Sequence, residues 1–517
     1  MTAGQRALTR TAAQYLCLPV FIVASVVGCS KRPHPGQSTG GSASSAASVK
    51  GGAAPARVRL ACHASGTSFS LGPIDGARVA DNSDDNAQFG SDAGAEADSD
   101  GLSSVDLPFG VTVGEARAHA NGYVVTAIDA RQGGSHAILA FLDTEVARGS
   151  VLDLGRVYGD AEPPRVVLGD DRAFVVVADT DASGHNYRYG WVRGLEGKSK
   201  LEWLGSLNQE ADDSAVFSLA RNRSSITIAW DELERKAQVS HVRWVTLDAT
   251  GKRIGIGAGV GGANGRASSQ RKGERDWRVN STGNDVDAEA PQLVARGSGY
   301  WLAYLAGEST RHKLETNAAN PKTRGKASAD DGDTRVIDLG HRGIEVLPLD
   351  ENGLPNGKPI RVVERTANVV TFDIEATADD GAIVAYRDAE ATPGVEAQTI
   401  EVARVRPDGG VTRQRVDDER VGAGTPMVLI NSSPEPAGDN APNAWIAVAG
   451  NTGETRLASL GDAGQAVLEL VDAPQLVAVE PLLWRGDSLL VMRHRGRFAE
   501  FERLMCSVSD RDLTTAR

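Results

Sequence analysis

One short strand pattern recurs seven times along this chain, and no other feature limits its fold as strongly. Each copy starts with small, apolar or aromatic residues, continues through Val, Ile or Leu, and in most copies reaches an Ala near its end. Short runs of this composition, bounded by Gly, Asp and Asn turns, are typical of β-strands. The seven copies lie at residues 122–129, 173–179, 225–231, 300–305, 382–387, 444–449 and 488–493.

Other strands flank these copies, so that each unit holds about four strands. First strands such as 291–296 precede a copy, third strands such as 136–143 follow it, and fourth strands such as 359–363 and 466–471 come last. The turns between third and fourth strands place Gly where a positive φ is needed; they are residues 248–251, 350–353 and 407–410. The pattern predicts an all-β fold, a β-propeller of seven four-stranded blades. A pair of β-sandwich domains is the alternative, although sandwiches do not usually repeat one strand motif seven times.

The amino-terminal segment has the pattern of an export signal. Residues 1–14 are polar, with Arg6 and Arg10 as their only charges, and residues 15–28 (YLCLPVFIVASVVG) are apolar. A basic segment followed by an apolar run of this length is typical of a secretory signal peptide. A membrane span needs about 20 apolar residues, whereas this run is shorter and contains Pro19.

The end of that segment, Val26-Val27-Gly28-Cys29, resembles the lipobox of bacterial lipoproteins. The resemblance implies cleavage after Gly28 and acylation of Cys29 by chains such as palmitate, which would anchor the protein to a membrane of the cell envelope. Val27 departs from the pattern, where Ala or Ser is commoner, and an ordinary cysteine beside a conventional signal site is the alternative. By the same resemblance, Ser30 favours the outer membrane. We therefore predict a signal peptide at 1–28, a flexible Gly/Ser/Ala-rich tether at 29–56 and a propeller domain at 57–517.

Two cysteines remain in the predicted mature domain, one near each end. Cys17 lies in the signal, Cys29 is the lipidation site, and Cys62 and Cys506 are left. A cysteine pair in an exported protein indicates a disulfide; a metal site is the alternative, but the pair lacks CxxC spacing. The last unit has three clear strands, so a spare strand near Cys62 would complete it and close the ring. Cross-linking such distant residues stabilises the fold, because it constrains the unfolded chain.

Three long insertions fall on one face of the predicted disc, because links between second and third strands and links between blades share that face. They lie at about 73–108, 255–290 and 308–334. Function in scaffolded folds concentrates on loops, so this face is a candidate binding surface. The alternative, favoured equally by the Gly, Ser and Asp content, is that these loops are disordered and have no function.

Charge and motifs exclude several functions. The chain has 68 Asp and Glu against 55 Lys and Arg, which argues against nucleic acid as a partner. We predict no metal, no cofactor and no catalytic residue: the acidic segment 81–106 lacks a full calcium loop, and the GxGxxG at 257–262 lacks a following helix. His136 and His241 start corresponding third strands, and Trp230, Trp244, Trp301 and Trp445 lie in strands, which indicates structural roles for all six.

These observations predict a lipid-anchored, monomeric extracytoplasmic protein whose propeller binds a protein or glycan as a scaffold. A propeller hydrolase acting on polysaccharide is the alternative. A cluster of carboxylates or arginines at one mouth of the axial channel would favour the hydrolase, and a channel lined by small apolar residues would favour the scaffold.

Overall fold

The computed structural model describes most of the chain from residue 58 onward. The described residues are 58–72, 110–131, 134–157, 161–181, 184–195, 199–208, 216–234, 239–255, 280–282, 286–308, 341–389, 398–416, 425–431, 444–449, 455–460, 467–468, 470–471, 476 and 479–510. All of them belong to the unit Ala56–Arg517. The predicted signal peptide, Cys29, the tether and most of the three insertions lie outside the described residues.

Within the described residues, thirty strands form seven sheets, which confirms the predicted propeller. We number the sheets as blades 1–7, each given from its first strand outward. Blade 1 is β2 (Val111–His119), β3 (Gly122–Arg131), β4 (Gly134–Asp143) and β5 (Gly149–Val157). Blade 2 is β6 (Arg165–Leu168), β7 (Arg172–Asp181), β8 (Gly184–Arg193) and β9 (Lys200–Asn208). Blade 3 is β10 (Phe217–Arg221), β11 (Ser225–Glu234), β12 (Val239–Asp248) and β13 (Arg253–Ile254), with β14 (Asn280–Ser281) paired to β12.

The remaining four blades follow the same order. Blade 4 is β15 (Val286–Arg296), β16 (Gly299–Glu308), β17 (Arg342–Leu349) and β18 (Ile360–Val363). Blade 5 is β19 (Val369–Ala376), β20 (Ala382–Ala389), β21 (Gln398–Val405) and β22 (Val411–Val416), with β26 (Val467–Leu468) added in parallel. Blade 6 is β23 (Met427–Ile430), β24 (Ala444–Ala449), β25 (Thr455–Ser459) and β27 (Leu470–Val471). Blade 7 is β28 (Glu480–Arg485), β29 (Ser488–Arg495), β30 (Phe498–Asp510) and β1 (Val58–Leu71).

The seven first strands surround a common axis. Over the described part of the chain, each first strand contacts the first strand of the next blade, and β28 contacts β2. The strands β2, β6, β10, β15, β19, β23 and β28 therefore form a closed ring. We call the space that they enclose the axial channel.

The amino-terminal strand closes this ring, as the sequence predicts. β1 pairs antiparallel with β30 as the outermost strand of blade 7, and Cys62 lies directly opposite Cys506. The two cysteines form a disulfide with their Cα atoms 4.0 Å apart. Each blade edge in a propeller is short and protected, and here the first and last strands of the domain are also covalently joined.

Apolar contacts between neighbouring blades form the core, and the strand tryptophans belong to it. Trp244 packs with Tyr300 between blades 3 and 4, and Trp445 packs against Trp484 between blades 6 and 7, with ring centroids 5.7 Å apart. Trp301 is fully buried between blades 4 and 5 and donates its indole N–H to the Asp380 carbonyl at 3.0 Å. The predicted packing role of these tryptophans is confirmed.

Tight turns and longer links lie on opposite faces of the disc. Turns between first and second and between third and fourth strands are on one face, which we call the turn face; the other is the link face. Asp248 shows how the predicted turns form: its carboxylate accepts the N–H groups of Thr250 and Lys252, and Gly251 takes a φ of 82°. β1 begins at Val58 opposite Asp510, so the chain enters the propeller on the turn face.

Two segments of the chain differ from the sequence prediction. β15 begins at Val286, inside the predicted insertion, because a bulge between Glu289 and Gln292 interrupts the strand and hides its first half from the sequence pattern. Residues 466–471 were predicted as one strand of blade 6, but Val467–Leu468 pairs with β22 of blade 5 and Leu470–Val471 with β25.

Candidate functional site: a charged axial channel

Glu115 and Arg117 bring opposite charges onto the inner strand of blade 1. A β-bulge between Val113 and Ala116 adds a residue to β2 at this point, and bulges redirect side chains, often beside functional sites. The N–H of Glu115 donates to the Thr126 hydroxyl at 2.9 Å, which holds the bulge. Arg117 Nη2 then lies 2.7 Å from the Glu115 carboxylate.

Asp373 and Glu375 occupy the inner strand of blade 5. Residues two apart on a strand share a face, and the intervening Ile374 is buried in the core together with Phe372. Asp373 and Glu375 therefore lie on the opposite face from the core residues of β19. The strand alternates core and channel side chains, which explains its sequence Phe-Asp-Ile-Glu.

Charges from blades 1 and 5 act on each other across the axis. Arg117 of β2 interacts electrostatically with both Glu375 and Asp373 of β19. Blades 1 and 5 are not neighbours in the ring, because blades 2–4 separate them on one side and blades 6 and 7 on the other. These side chains therefore face one another across the axial channel.

Burial in the channel shifts both carboxyl groups of β19 towards their neutral forms. Burial raises the pKa of Glu375 to about 7; the Arg117 charge opposes that rise, and the charges of Asp373 and Glu115 add to it. Burial likewise raises the pKa of Asp373 to about 6, against the N–H groups of Val428 and Ile374 and the charges of Arg117 and Arg165. Groups with such shifts are frequent at functional sites.

Several polar groups of the inner strands also join neighbouring blades. The N–H of Val166 in blade 2 donates to Glu115 at 2.5 Å, and the N–H of Val428 in blade 6 donates to Asp373 at 2.7 Å. In the same way the N–H of Leu293 in blade 4 donates to the Ser218 hydroxyl at 2.8 Å. The first strand of each blade has one edge that pairs with no other strand. Side chains of the neighbouring blade accept hydrogen bonds from some of the backbone N–H groups on that edge. Glu115 and Asp373 therefore have a structural role whatever else they do.

A second set of charges lies towards the link face, where Glu162 and Arg165 lead into blade 2. Arg165 Nη2 lies 3.5 Å from Glu162, and the Arg165 charge also acts on Asp373. Glu162 in turn acts on Asp231 of β11. Charged side chains therefore lie along a path from the channel to the link face, by way of blade 2.

Asp231 is the most buried carboxyl of this second set, at 7% exposure. Its Oδ2 accepts the N–H of Ala290, a non-glycine residue held at a φ of 49° in the β15 bulge. Its Oδ1 is buried and has no hydrogen-bond partner in the described part of the chain. Burial raises the pKa of Asp231 to about 7, and the nearby charges of Glu289 and Glu162 contribute to the rise. Buried polar atoms without partners are rare in folded proteins.

The chemistry of the channel limits its ligand. No group of three or more His, Cys, Asp or Glu among the described residues could hold a metal ion. Glu115, Glu162, Asp373 and Glu375 supply four carboxyl groups against the two guanidinium groups of Arg117 and Arg165, so the wall offers both donors and acceptors and has no positive excess. A polyanion is therefore disfavoured.

The residues predicted from the sequence lie elsewhere. Cys29 is outside the described residues, and the disulfide lies at the outer edge of blade 7. His136 in β4 places Nδ1 2.9 Å from Asp153 and lies in its blade as predicted. Sequence reasoning did not identify Glu115, Arg117, Asp373 or Glu375. Two acids alternating with core residues in a first strand are the signal that could have marked β19. In the described residues no helix is long and apolar enough to span a bilayer.

No protein-family model matches the chain, and no curated protein matches it. Solved structures that resemble it include the polysaccharide lyase Uly1, with 9% identity and a TM-score of 0.44 over 76% of this chain and 89% of that one. The β-propeller domain of the Trilobed protease from Pyrococcus furiosus has 7% identity and a TM-score of 0.41, over 80% of this chain and 99% of that one. The GH93 α-L-arabinofuranosidase of Fusarium graminearum has 9% identity and a TM-score of 0.38, over 77% and 92%. Likeness at this level carries no argument about function.

Proposed function

We propose that this protein is a lipid-anchored extracytoplasmic propeller that binds a neutral glycan in its axial channel. The observation that carries the proposal is the set of carboxyl and guanidinium groups from blades 1, 2 and 5 that interact across the axis. A core-like apolar wall would leave nothing for a polar ligand to bind. Sites for small ligands are concave and use a few placed polar groups to orient the ligand.

A glycan fits this wall better than other polar ligands. Sugar hydroxyls both donate and accept, so they can use carboxylate acceptors and guanidinium donors at once. Bonds to charged groups contribute about 1.5–3 kcal/mol each, so a few of them support specific binding. The excess of acids over arginines favours a neutral sugar over an acidic one.

Hydrolysis of the bound glycan is the second candidate, and Glu375 is the observation that favours it. A carboxyl group with a pKa of about 7 suits a general acid near neutral pH. Glycoside hydrolysis usually needs a second carboxylate, and Asp373 already accepts the N–H of Val428, as Glu115 accepts that of Val166. We therefore rank binding first.

The binding proposal is tested with purified protein lacking residues 1–28 and a panel of neutral and acidic hexasaccharides, using calorimetry. We expect a neutral hexasaccharide to bind and R117Q to weaken it about tenfold or more, since one charged hydrogen-bond donor is lost. R406Q is the matched control, because Arg406 lies in an exposed turn and pairs with Asp408. Equal loss in R117Q and R406Q, or binding of acidic sugars alone, would contradict the proposal. Release of reducing ends that E375Q abolishes would establish the hydrolase instead.

Export and lipidation rest on the amino-terminal sequence, and the disulfide supports export. Disulfides persist in oxidising compartments and are rare in the cytosol, and Cys62 and Cys506 are joined here. An anchor preceding Val58 would attach on the turn face, leaving the link face on the opposite side of the disc. Radioactive palmitate should label the protein when the full sequence is expressed in bacterial cells and should not label its C29S variant; equal labelling of both would rule out acylation of Cys29.

A further inference from the structure

The β29–β30 hairpin of blade 7 ends in exposed cationic residues on the link face. Its tip, residues 494–498, has the sequence His-Arg-Gly-Arg-Phe, and all five residues are exposed. Gly496 takes a φ of 62°, which glycine adopts without strain and which turns the chain between the two strands. Phe498 is 49% exposed, more than any other large apolar side chain in the described part of the chain. We call residues 494–498 the basic tip.

Acids beside the basic tip hold its charges without covering them. Arg495 Nε lies 2.5 Å from Glu500, and this arginine side chain is 67% exposed, whereas the glutamate is 16% exposed. An exposed acid, Glu480, lies 3.9 Å from His494 at the edge of the tip. The outer surface of the tip is therefore cationic, and a partner would meet a guanidinium group that is already held in position.

Both ends of the insertion between β1 and β2 lie beside the basic tip. The backbone of Gly72, the residue after β1, lies so close to the Phe498 ring that a side chain would not fit there. At the other end, the N–H of Val111, the first residue of β2, donates to the Arg497 carbonyl at 3.4 Å. The insertion, residues 73–109, therefore leaves the fold at the tip and returns to it at the tip.

The charge of the insertion is opposite to that of the basic tip. Its acidic segment, residues 81–106, contains seven aspartates, one glutamate and no lysine or arginine. Blocks of like charge repel themselves and often bind an oppositely charged partner. Single ion pairs at a surface contribute little, but attachment at both ends gives the segment an effective concentration on the order of 1 mM at the tip. Weak pairs can then add up to a stable contact.

We propose that the acidic segment binds the basic tip, and that its carboxylates pair with the guanidinium groups of Arg495 and Arg497. The tip belongs to blade 7 and contacts Val111 of blade 1, so the contact lies at the junction between the first and last blades. It is separate from the axial channel and does not depend on the glycan proposal. Salt screens exposed charges, so the contact should weaken as ionic strength rises.

A labelled peptide with the sequence of residues 81–106 tests this contact by competition. Protein lacking residues 1–28 is compared with a linker variant, in which a Gly/Ser linker of equal length also replaces residues 81–106. The peptide should bind the linker variant and should bind the parent about tenfold or more weakly, because the parent's own segment occupies the tip. Fluorescence anisotropy measures both, and binding to the linker variant should fall about tenfold or more between about 20 mM and about 500 mM salt.

Substitutions in the linker variant locate the binding surface. R495Q/R497Q should weaken peptide binding about tenfold or more, because two charged donors are lost. R404Q/R406Q is the matched control, because both arginines are exposed and lie at the β21–β22 turn on the turn face. It should bind the peptide as the linker variant does. Equal loss in the two double variants would overturn the proposal.

Cross-linking reads the contact in protein that keeps its own segment. R497K places an amine in the basic tip, and a carbodiimide joins amines to the carboxylates that they touch. Mass spectrometry should find a link within one molecule from position 497 to an acid of residues 81–106, and no such link from R406K. Links from position 497 to a second copy alone would overturn the proposal. Equal peptide binding by the parent and the linker variant, or binding by neither, would overturn it as well.

Discussion

The interfaces between blades and the wall of the axial channel are built from the same strands, but they have opposite effects on the stability of the fold. On β19, Phe372 and Ile374 are buried against blade 4, while Asp373 and Glu375 lie on the other face of the strand, towards the channel. Burial of apolar surface stabilises the fold, whereas burial of acids raises their pKa and costs stability when they ionise. One alternating strand therefore supplies both the stability of the ring and its chemistry. Substitutions on the two faces should have different consequences.

The largest expected effect on stability comes from opening the ring. The C62S/C506S double variant should lose about 6 kcal/mol of unfolding free energy in the chain-entropy model, because the disulfide joins residues 444 positions apart. Guanidinium denaturation of the wild type and the variant measures the loss. The wild type in reductant should match the variant, and a loss confined to blade 7 in hydrogen exchange would show that the other blades hold without closure.

The next effect belongs to the interfaces between blades. Trp301→Ala should cost about 3–5 kcal/mol, because it empties a fully buried site and leaves the Asp380 carbonyl without the indole donor. Trp203→Ala is the control on an outer strand, since Trp203 is 36% exposed, and should cost far less. Denaturation midpoints give both values. Similar costs for the two would mean that burial between blades is not the source of stability.

The sequence predicts the apolar contacts between blades far better than it predicts the charged residues of the axial channel. Blade strands and core tryptophans follow from local alternation, and the Cys62–Cys506 pair follows from counting strands in blade 7. Arg117 and Glu375 meet only because the ring brings β2 and β19 to one axis, and nothing local to either strand indicates that meeting. The first half of β15 was hidden for a related reason: Ala290 at positive φ before Pro291 breaks the strand pattern.

A smaller effect on stability is expected within the channel, at Asp373. Asp373→Ala should cost about 1–3 kcal/mol, because the Val428 N–H loses its acceptor. Asp373→Asn keeps an acceptor oxygen and should cost less. Thermal denaturation at pH 4 compares the two variants, because the raised pKa of Asp373, about 6, keeps it protonated there and its ionisation costs the folded protein nothing. Equal destabilisation by Ala and Asn would indicate that the hydrogen bond from Val428 does not stabilise the ring.

The effect on stability at Glu375 should be similar in size and opposite in sign, which distinguishes the channel from the interfaces between blades. The folded pKa of Glu375 is raised to about 7 from an ordinary value of 4.5. The unfolded chain therefore releases this proton at lower pH than the folded protein, so wild-type stability falls as pH rises from about 4.5 to 7. Glu375→Gln has no such proton, and above pH 7 it should be about 1–3 kcal/mol more stable than wild type, relative to their difference at pH 4. Chemical denaturation across pH 4–8 measures this difference. If the difference in unfolding free energy between the two proteins stays constant over this pH range, the folded pKa of Glu375 has its ordinary value and burial in the channel does not shift it.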